Sequence, residues 1–185
     1  KYLPRAVANG ANDPEAREKM HNASAIAGMA FANAFLGMNH SMAHKIGAEF
    51  HVPHGRANAI LLPYTIRYNG QKPQKLSTWP KYNYYKADEK YQEIALALGL
   101  PASTVEEAVE SFAKACGNLG KEVGIKMNFQ SQNIEEQEYL ANIEKLSYLA
   151  FEDQCSPANP RVPLVSDMQA ILKSAYYNDE FLTKE

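Results

Sequence analysis

"GMNHSMAHKIGAEFHVPHG", residues 37–55, gathers His40, His44, His51 and His54, four of the five histidines in the chain. From Met38 to about Phe50 the stretch reads as a helix. Gly37 precedes it, and Val52-Pro53 stops it, because the residue before a proline avoids the α region. His40 and His44 stand four residues apart on this helix, so their rings project from one face about a turn apart. His54 follows a chain reversal, at the start of the next helix, from which it can return to that face. Three imidazoles meeting in this way resemble the protein half of a divalent-metal site. Their neutral lone pairs suit Zn, Fe, Ni or Cu, whereas oxygen-preferring Mg or Ca would fit poorly. The same spacing also suits a structural pair with one ring buried and hydrogen-bonded. His51, in the loop, reads as a solvated side chain, with a His-x-x-His partnership to His54 as the alternative. His21 reads as a helix-face residue with no special task.

Working outward, the helical pattern extends over nearly the whole chain. Asp13 followed by Pro14 is a helix start, with a capping residue and a proline at the first helical position. The run from there to about Phe35 is interrupted by no turn residue except Gly28, and Gly37 ends it. Ala23, Ala27, Gly28, Ala30 and Ala34 make this helix small-sided, which lets a neighbour approach closely. A helix expected from Gly55 carries Ala57, Ile60, Leu61, Tyr64 and Tyr68 on one face. After Tyr68 the composition changes to "NGQKPQKLSTWPKYNYY", a Lys-, Pro- and Tyr-rich segment too long for a simple connection and read as an insertion. A further helix is expected over about Ala87 to Leu98. Capping boxes are expected at Ser103 with Glu106, Asn133 with Glu136 and Ser166 with Gln169. Alternating strand patterns are nearly absent, so the fold class is all-α, one helical bundle over 1–185.

The composition excludes several classes of function. With 45% apolar and 22% charged residues the chain is globular, and runs such as Ala59-Ile60-Leu61-Leu62 fall far short of the ~20 residues a membrane-spanning helix needs. No membrane partner is expected. A net charge of -2 does not favour nucleic acid. Cys116 and Cys155 are too few and too distant for a disulfide scaffold, and reduced thiols in a cytoplasmic protein are expected. The opening Lys-Tyr-Leu-Pro-Arg has no initiator methionine and no signal layout, and reads like part of a longer protein.

The pattern Gly37-x-x-His40-x-x-Ala43-His44-x-x-Gly47, then Pro53-His54-Gly55 and "ANAILLP", resembles the signature of the iron-dependent alcohol dehydrogenase family. Cys155-Ser-Pro-Ala-Asn159-Pro160-Arg161 is similar to that family's Cys…Asn-Pro-Arg element. Within the family, residues 2–37 and the tyrosine-rich insertion look most like the alcohol-dehydrogenase part of the bifunctional aldehyde-alcohol dehydrogenases. The resemblance implies a helical C-terminal, metal-binding domain of a larger dehydrogenase. It implies a catalytic divalent metal, Fe(II) first and Zn(II) second, held by one Asp and three His. Two of those ligands fall on His40 and His54. It further implies that His44 lies beside the metal near the nicotinamide and substrate, in proton relay rather than ligation. His51 is left unassigned by the motif.

The family's remaining ligands, an Asp and a His four apart, precede the motif by tens of residues, and no such pair lies upstream here: Asp13 is followed at the fourth position by Arg17. No Gly-x-Gly-x-x-Gly occurs either. The resemblance therefore implies an upstream nucleotide-binding domain that would hold most of the NAD, and an isolated chain that is inactive. It also implies a small alcohol or aldehyde substrate and a homo-oligomer or filament. The competing expectation is a non-catalytic helical interaction module with structural histidines, in which Trp79, Tyr82, Tyr84 and Tyr85 of the insertion bind a partner chain.

Overall fold

A computed structural model describes residues 1–73 and 84–178. The described residues form eight α-helices: α1 (Tyr2–Asn9), α2 (Pro14–Ala34), α3 (Met38–Phe50), α4 (His54–Asn69), α5 (Ala87–Ala97), α6 (Val105–Glu122), α7 (Glu136–Phe151) and α8 (Val165–Tyr177). No strand occurs among them. The fold is all-α, as the sequence implied. Trp79 and Tyr82 of the insertion lie outside the described residues. Of its other aromatics, Tyr84 is exposed and Tyr85 donates its hydroxyl to the Asn69 carbonyl.

Helix α4 is the centre of the bundle, packed against α3, α6 and α8, while α7 bridges α3 and α8, and α5 lies on α6. The apolar face expected on α4 is the buried one: Ala57, Ile60, Leu61, Tyr64 and Tyr68 join Met38, Met42, Ala43 and Ile46 of α3 in one core. Tyr139 of α7 and Met168, Ile171, Leu172 and Tyr176 of α8 complete it. Burying tyrosines is favourable only where each hydroxyl keeps a partner. Accordingly Tyr139 donates to the Leu172 carbonyl at 3.0 Å and Tyr176 to the Ile134 carbonyl at 2.9 Å. These bonds cross between elements, so they fix which helices pair as well as compensating for burial.

Local chemistry sets the helix ends in some places and tertiary contacts set them in others. Asp13 caps α2 as expected, accepting from the Ala16 N–H at 3.0 Å, with Pro14 at the first turn. Its carboxylate also receives the Arg5 guanidinium at 2.9 Å, which ties α1 to α2. The short helix α1 was not foreseen. Helix α2 stops at Ala34, within a residue of the expected end near Phe35, where the chain turns to φ 63°.

The three expected capping boxes are all displaced. Thr104, not Ser103, caps α6 by accepting from the Glu107 N–H at 3.1 Å. Asn133 sits at φ 61° at the end of a 3-10 turn, and Glu135 precedes α7. Leu164 precedes α8, with Asp167, not Ser166 or Gln169, supplying the carboxylate that accepts the Leu164 N–H at 2.8 Å. The small-sided α2 packs mainly on α1, and only its Ala16 is buried. Ile26 and Met29 are 62% and 61% exposed.

Candidate metal centre

The histidine face is built at the junction of α3 and α4. Gly37 immediately precedes helix α3, and an added Cβ there would lie 2.6 Å from Asn159 Oδ1. That close approach is what requires glycine, since Asn159 Oδ1 accepts the Met38 N–H at 3.2 Å and so caps the helix from 121 residues away. Asn159 is buried and fully partnered: its amide donates to Asn69 Oδ1 at 2.7 Å and to the Arg161 carbonyl at 2.6 Å. Arg161 in turn lies 4.1 Å above the Tyr68 ring and donates to the Tyr68 carbonyl at 3.0 Å. The Asn-Pro-Arg element therefore ties the start of α3 to the end of α4. At the other end of α3, His51 adopts a left-handed φ of 56°, and the reversal through Pro53 brings His54 back onto the face of α3.

The structure brings His40, His44 and His54 together. Ring centres are 5.3 Å apart for His40 and His54, 5.4 Å for His44 and His54, and 6.2 Å for His40 and His44. Two imidazoles sharing a tetrahedral ion at ~2.0–2.1 Å from each nitrogen place their ring centres about 5 Å apart, which the His40–His54 and His44–His54 separations both match. His44 stands differently, nearly parallel to His54 with an interplanar angle of 18°. Its Nδ1 is already engaged, 3.2 Å from Asp153 Oδ2. Three imidazoles so placed form a donor set that fits an imidazole-preferring ion. Burial, with smaller contributions from His54 and His44, lowers the pKa of His40, which favours the neutral, ligating form. His51 and His21 are exposed and stand apart from this set.

Two groups of site residues were not foreseen. Asn58, one turn beyond His54, places Nδ2 3.1 Å from His54 Nε2 and 3.0 Å from the His54 carbonyl. Its own oxygen accepts from Asn39 Nδ2 at 2.7 Å, and Asn39 Oδ1 accepts from Thr65 Oγ1 at 3.0 Å. The second is Asp153, two residues before Cys155 and so adjacent to the Cys…Asn-Pro-Arg element. His44, Asp153 and Cys155 place donor atoms within 4.8 Å of one another. However, Lys45 Nζ lies 2.8 Å from the same Asp153 oxygen that meets His44. Burial and the neighbouring Asp153 push the Cys155 thiol up to about 11. The group is therefore a hydrogen-bonded cluster with a protonated thiol rather than a ready ligand set. Both cysteines are free, and no helix among the described residues is long and apolar enough to cross a membrane.

Comparison with known proteins gives one answer across sequence and structure. The chain is 68% identical over 165 residues to an aldehyde-alcohol dehydrogenase of Streptococcus pneumoniae, a match covering 89% of this chain and 19% of that protein. It superimposes on an alcohol dehydrogenase from Oenococcus oeni with a TM-score of 0.80 at 32% identity, covering 95% of this chain and 41% of that one. A sulfoacetaldehyde reductase from Bifidobacterium kashiwanohense, solved in complex with NAD+, gives a TM-score of 0.72 at 26% identity, covering 97% and 41%. The chain thus spans a minor part of each of these proteins, and they favour a dehydrogenase part over a non-catalytic interaction module. The model of the Fe-containing alcohol dehydrogenase family, C-terminal, matches residues 1–176, and the chain belongs to that family as its helical C-terminal part.

Proposed function

We propose that this chain supplies two metal ligands, His40 and His54, and a proton-accepting imidazole, His44, to an NAD-linked dehydrogenase that interconverts primary alcohols such as ethanol with their aldehydes. The observation that carries this reading is the convergence of the three rings across the α3–α4 junction. Fe(II) is the metal favoured by the family, and Zn(II) is compatible with the same imidazoles. The remaining ligands and most of the NAD contacts belong to the rest of a protein of the relatives' length.

When bound, the ion would supply a Lewis acid for the alcohol oxygen and the nicotinamide a hydride acceptor for the alcohol carbon. His40 and His54 would hold the ion through neutral nitrogens, which add no negative charge to it. Asn58, oriented by Asn39 and Thr65, bonds the His54 carbonyl and so fixes the first turn of α4 that carries the ring. His44 takes the hydroxyl proton and passes it to solvent, for which its partly exposed position is suited. The alcohol thereby loses one proton and one hydride and becomes the aldehyde.

The test is metal retention beside turnover in the full-length protein. His40→Ala and His54→Ala are expected to lose the metal and with it activity. His44→Ala is expected to keep the metal while kcat falls about 10²–10⁴-fold. Equal metal loss in all three variants would make His44 a ligand and refute the assignment of roles.

A further inference from the structure

We infer that Asp153 is a positioning residue, holding the His44 imidazole by its Nδ1–H so that Nε2 is the nitrogen left free to take the substrate proton. This rests on the proton-accepting role proposed above for His44. Asp153 lies just beyond the end of α7 and 109 residues from His44, so only the packing of α7 on α3 brings the pair together. Its side chain is 7% exposed, against 34% for His44. The carboxylate is fully used: Oδ2 meets His44 Nδ1 at 3.2 Å and Lys45 Nζ at 2.8 Å, and Oδ1 accepts the Cys155 N–H at 3.0 Å.

These partners decide the tautomer. Burial alone would raise the carboxyl pKa, but Lys45, the Cys155 N–H and His44 outweigh it and hold the group well below the usual carboxylate range. An ionised carboxylate only accepts hydrogen bonds. The His44 Nδ1 facing it must therefore carry the hydrogen, and in the neutral ring Nε2 carries the lone pair. Lys45 balances the carboxylate charge, so Asp153 orients the ring without itself taking the proton. Carboxylate–imidazole pairs of this kind set tautomer and ring orientation in metal and hydrolase sites alike. Without the carboxylate the ring can rotate or switch tautomer, and the accepting nitrogen is misplaced.

The experiment is a double-mutant cycle in the metal-loaded full-length enzyme, with kcat, KM for the alcohol, retained metal and far-UV circular dichroism measured for each variant. Asp153→Asn is expected to lower kcat about 10²–10⁴-fold, leaving KM, metal content and helical signal unchanged. In the His44→Ala background the same substitution should cost no more than about twofold further, because residues acting as a unit are not additive. Multiplicative losses in the double variant with metal retained would overturn the role of Asp153 alone. Loss of metal or of helical signal in Asp153→Asn would overturn it in favour of a structural ion pair. A fully active His44→Ala would refute the proton role itself and this inference with it.

Discussion

Replacing Asn159 by alanine tests how the Asn-Pro-Arg element supports the histidine helix. The Asn159 side chain is 1% exposed. Its oxygen accepts from the Met38 N–H and from Asn69 Nδ2, both at 3.2 Å, while its amide donates to Asn69 Oδ1 and the Arg161 carbonyl. Alanine removes all four bonds and leaves the Met38 N–H, one of the orphan donors of the first turn of α3, without its acceptor. A buried group left unsatisfied costs about 1–3 kcal/mol. With Met38 and the Asn69 amide both affected, the expected loss is about 2–4 kcal/mol. For a chain with a urea m-value of about 2 kcal/mol/M this lowers the midpoint by about 1–2 M.

Gly37→Ala attacks the same junction from the other side, since its Cβ would meet Asn159 Oδ1 at 2.6 Å. It should destabilise in the Asn159 background. It should be neutral or favourable once Asn159 has been trimmed to alanine, because the methyl then occupies the vacated space. The assay is urea unfolding of the four proteins followed by circular dichroism. A loss below about 0.5 kcal/mol for Asn159→Ala, or additivity of the two substitutions, would refute the coupling.

Two other outcomes follow from the same structure. Asp153 and Glu110 have carboxyls held below their ordinary range, Asp153 against the pull of burial by Lys45, the Cys155 N–H and His44, and Glu110 by Arg67 above all. A depressed folded-state pKa gives stability that is fully present above the unfolded value of about 4 and is lost as pH falls below it. Acid unfolding below about pH 4 should therefore be shallower in Asp153→Asn than in the parent, and identical curves would count against the ionised carboxylate. The 185-residue chain alone should show a helical circular dichroism spectrum, bind Fe(II) or Zn(II) weakly and strip on dialysis. It should form no NADH from ethanol and NAD above background, because two assigned ligands fall short of the about three protein ligands of a catalytic site. Stoichiometric metal with turnover would refute that account.

Much of the site was legible before any coordinates because it is carried by local geometry. The four-residue spacing of His40 and His44 places them on one face of any α-helix, and Pro53 stops α3 for a reason of backbone sterics. Asp13-Pro14 starts α2 as a short-range cap, and the Ala57, Ile60, Leu61, Tyr64, Tyr68 face of α4 is buried as its period requires. The caps of α6, α7 and α8 were misplaced by one to two residues. Capping contributes only about 0.5–2 kcal/mol, and fitting each helix to the core can shift its start by that amount.

The sequence by itself determined that this is a helical chain with two histidines a turn apart and a third placed where a chain reversal can return it to them, and its motif pointed to the family. Only the tertiary structure decided what surrounds those rings. Asp153 reaches His44 across 109 residues, and Asn159 reaches Met38 across 121. Asn58 turns its amide toward His54 because Asn39 of α3, itself fixed by Thr65 of α4, settles which end accepts. Helical periodicity predicts which face a residue occupies, because backbone geometry is local. Which side chain meets it from another helix depends on how the apolar faces of α3, α4, α7 and α8 pack, and that arrangement minimises exposed surface over the whole bundle rather than within any one segment.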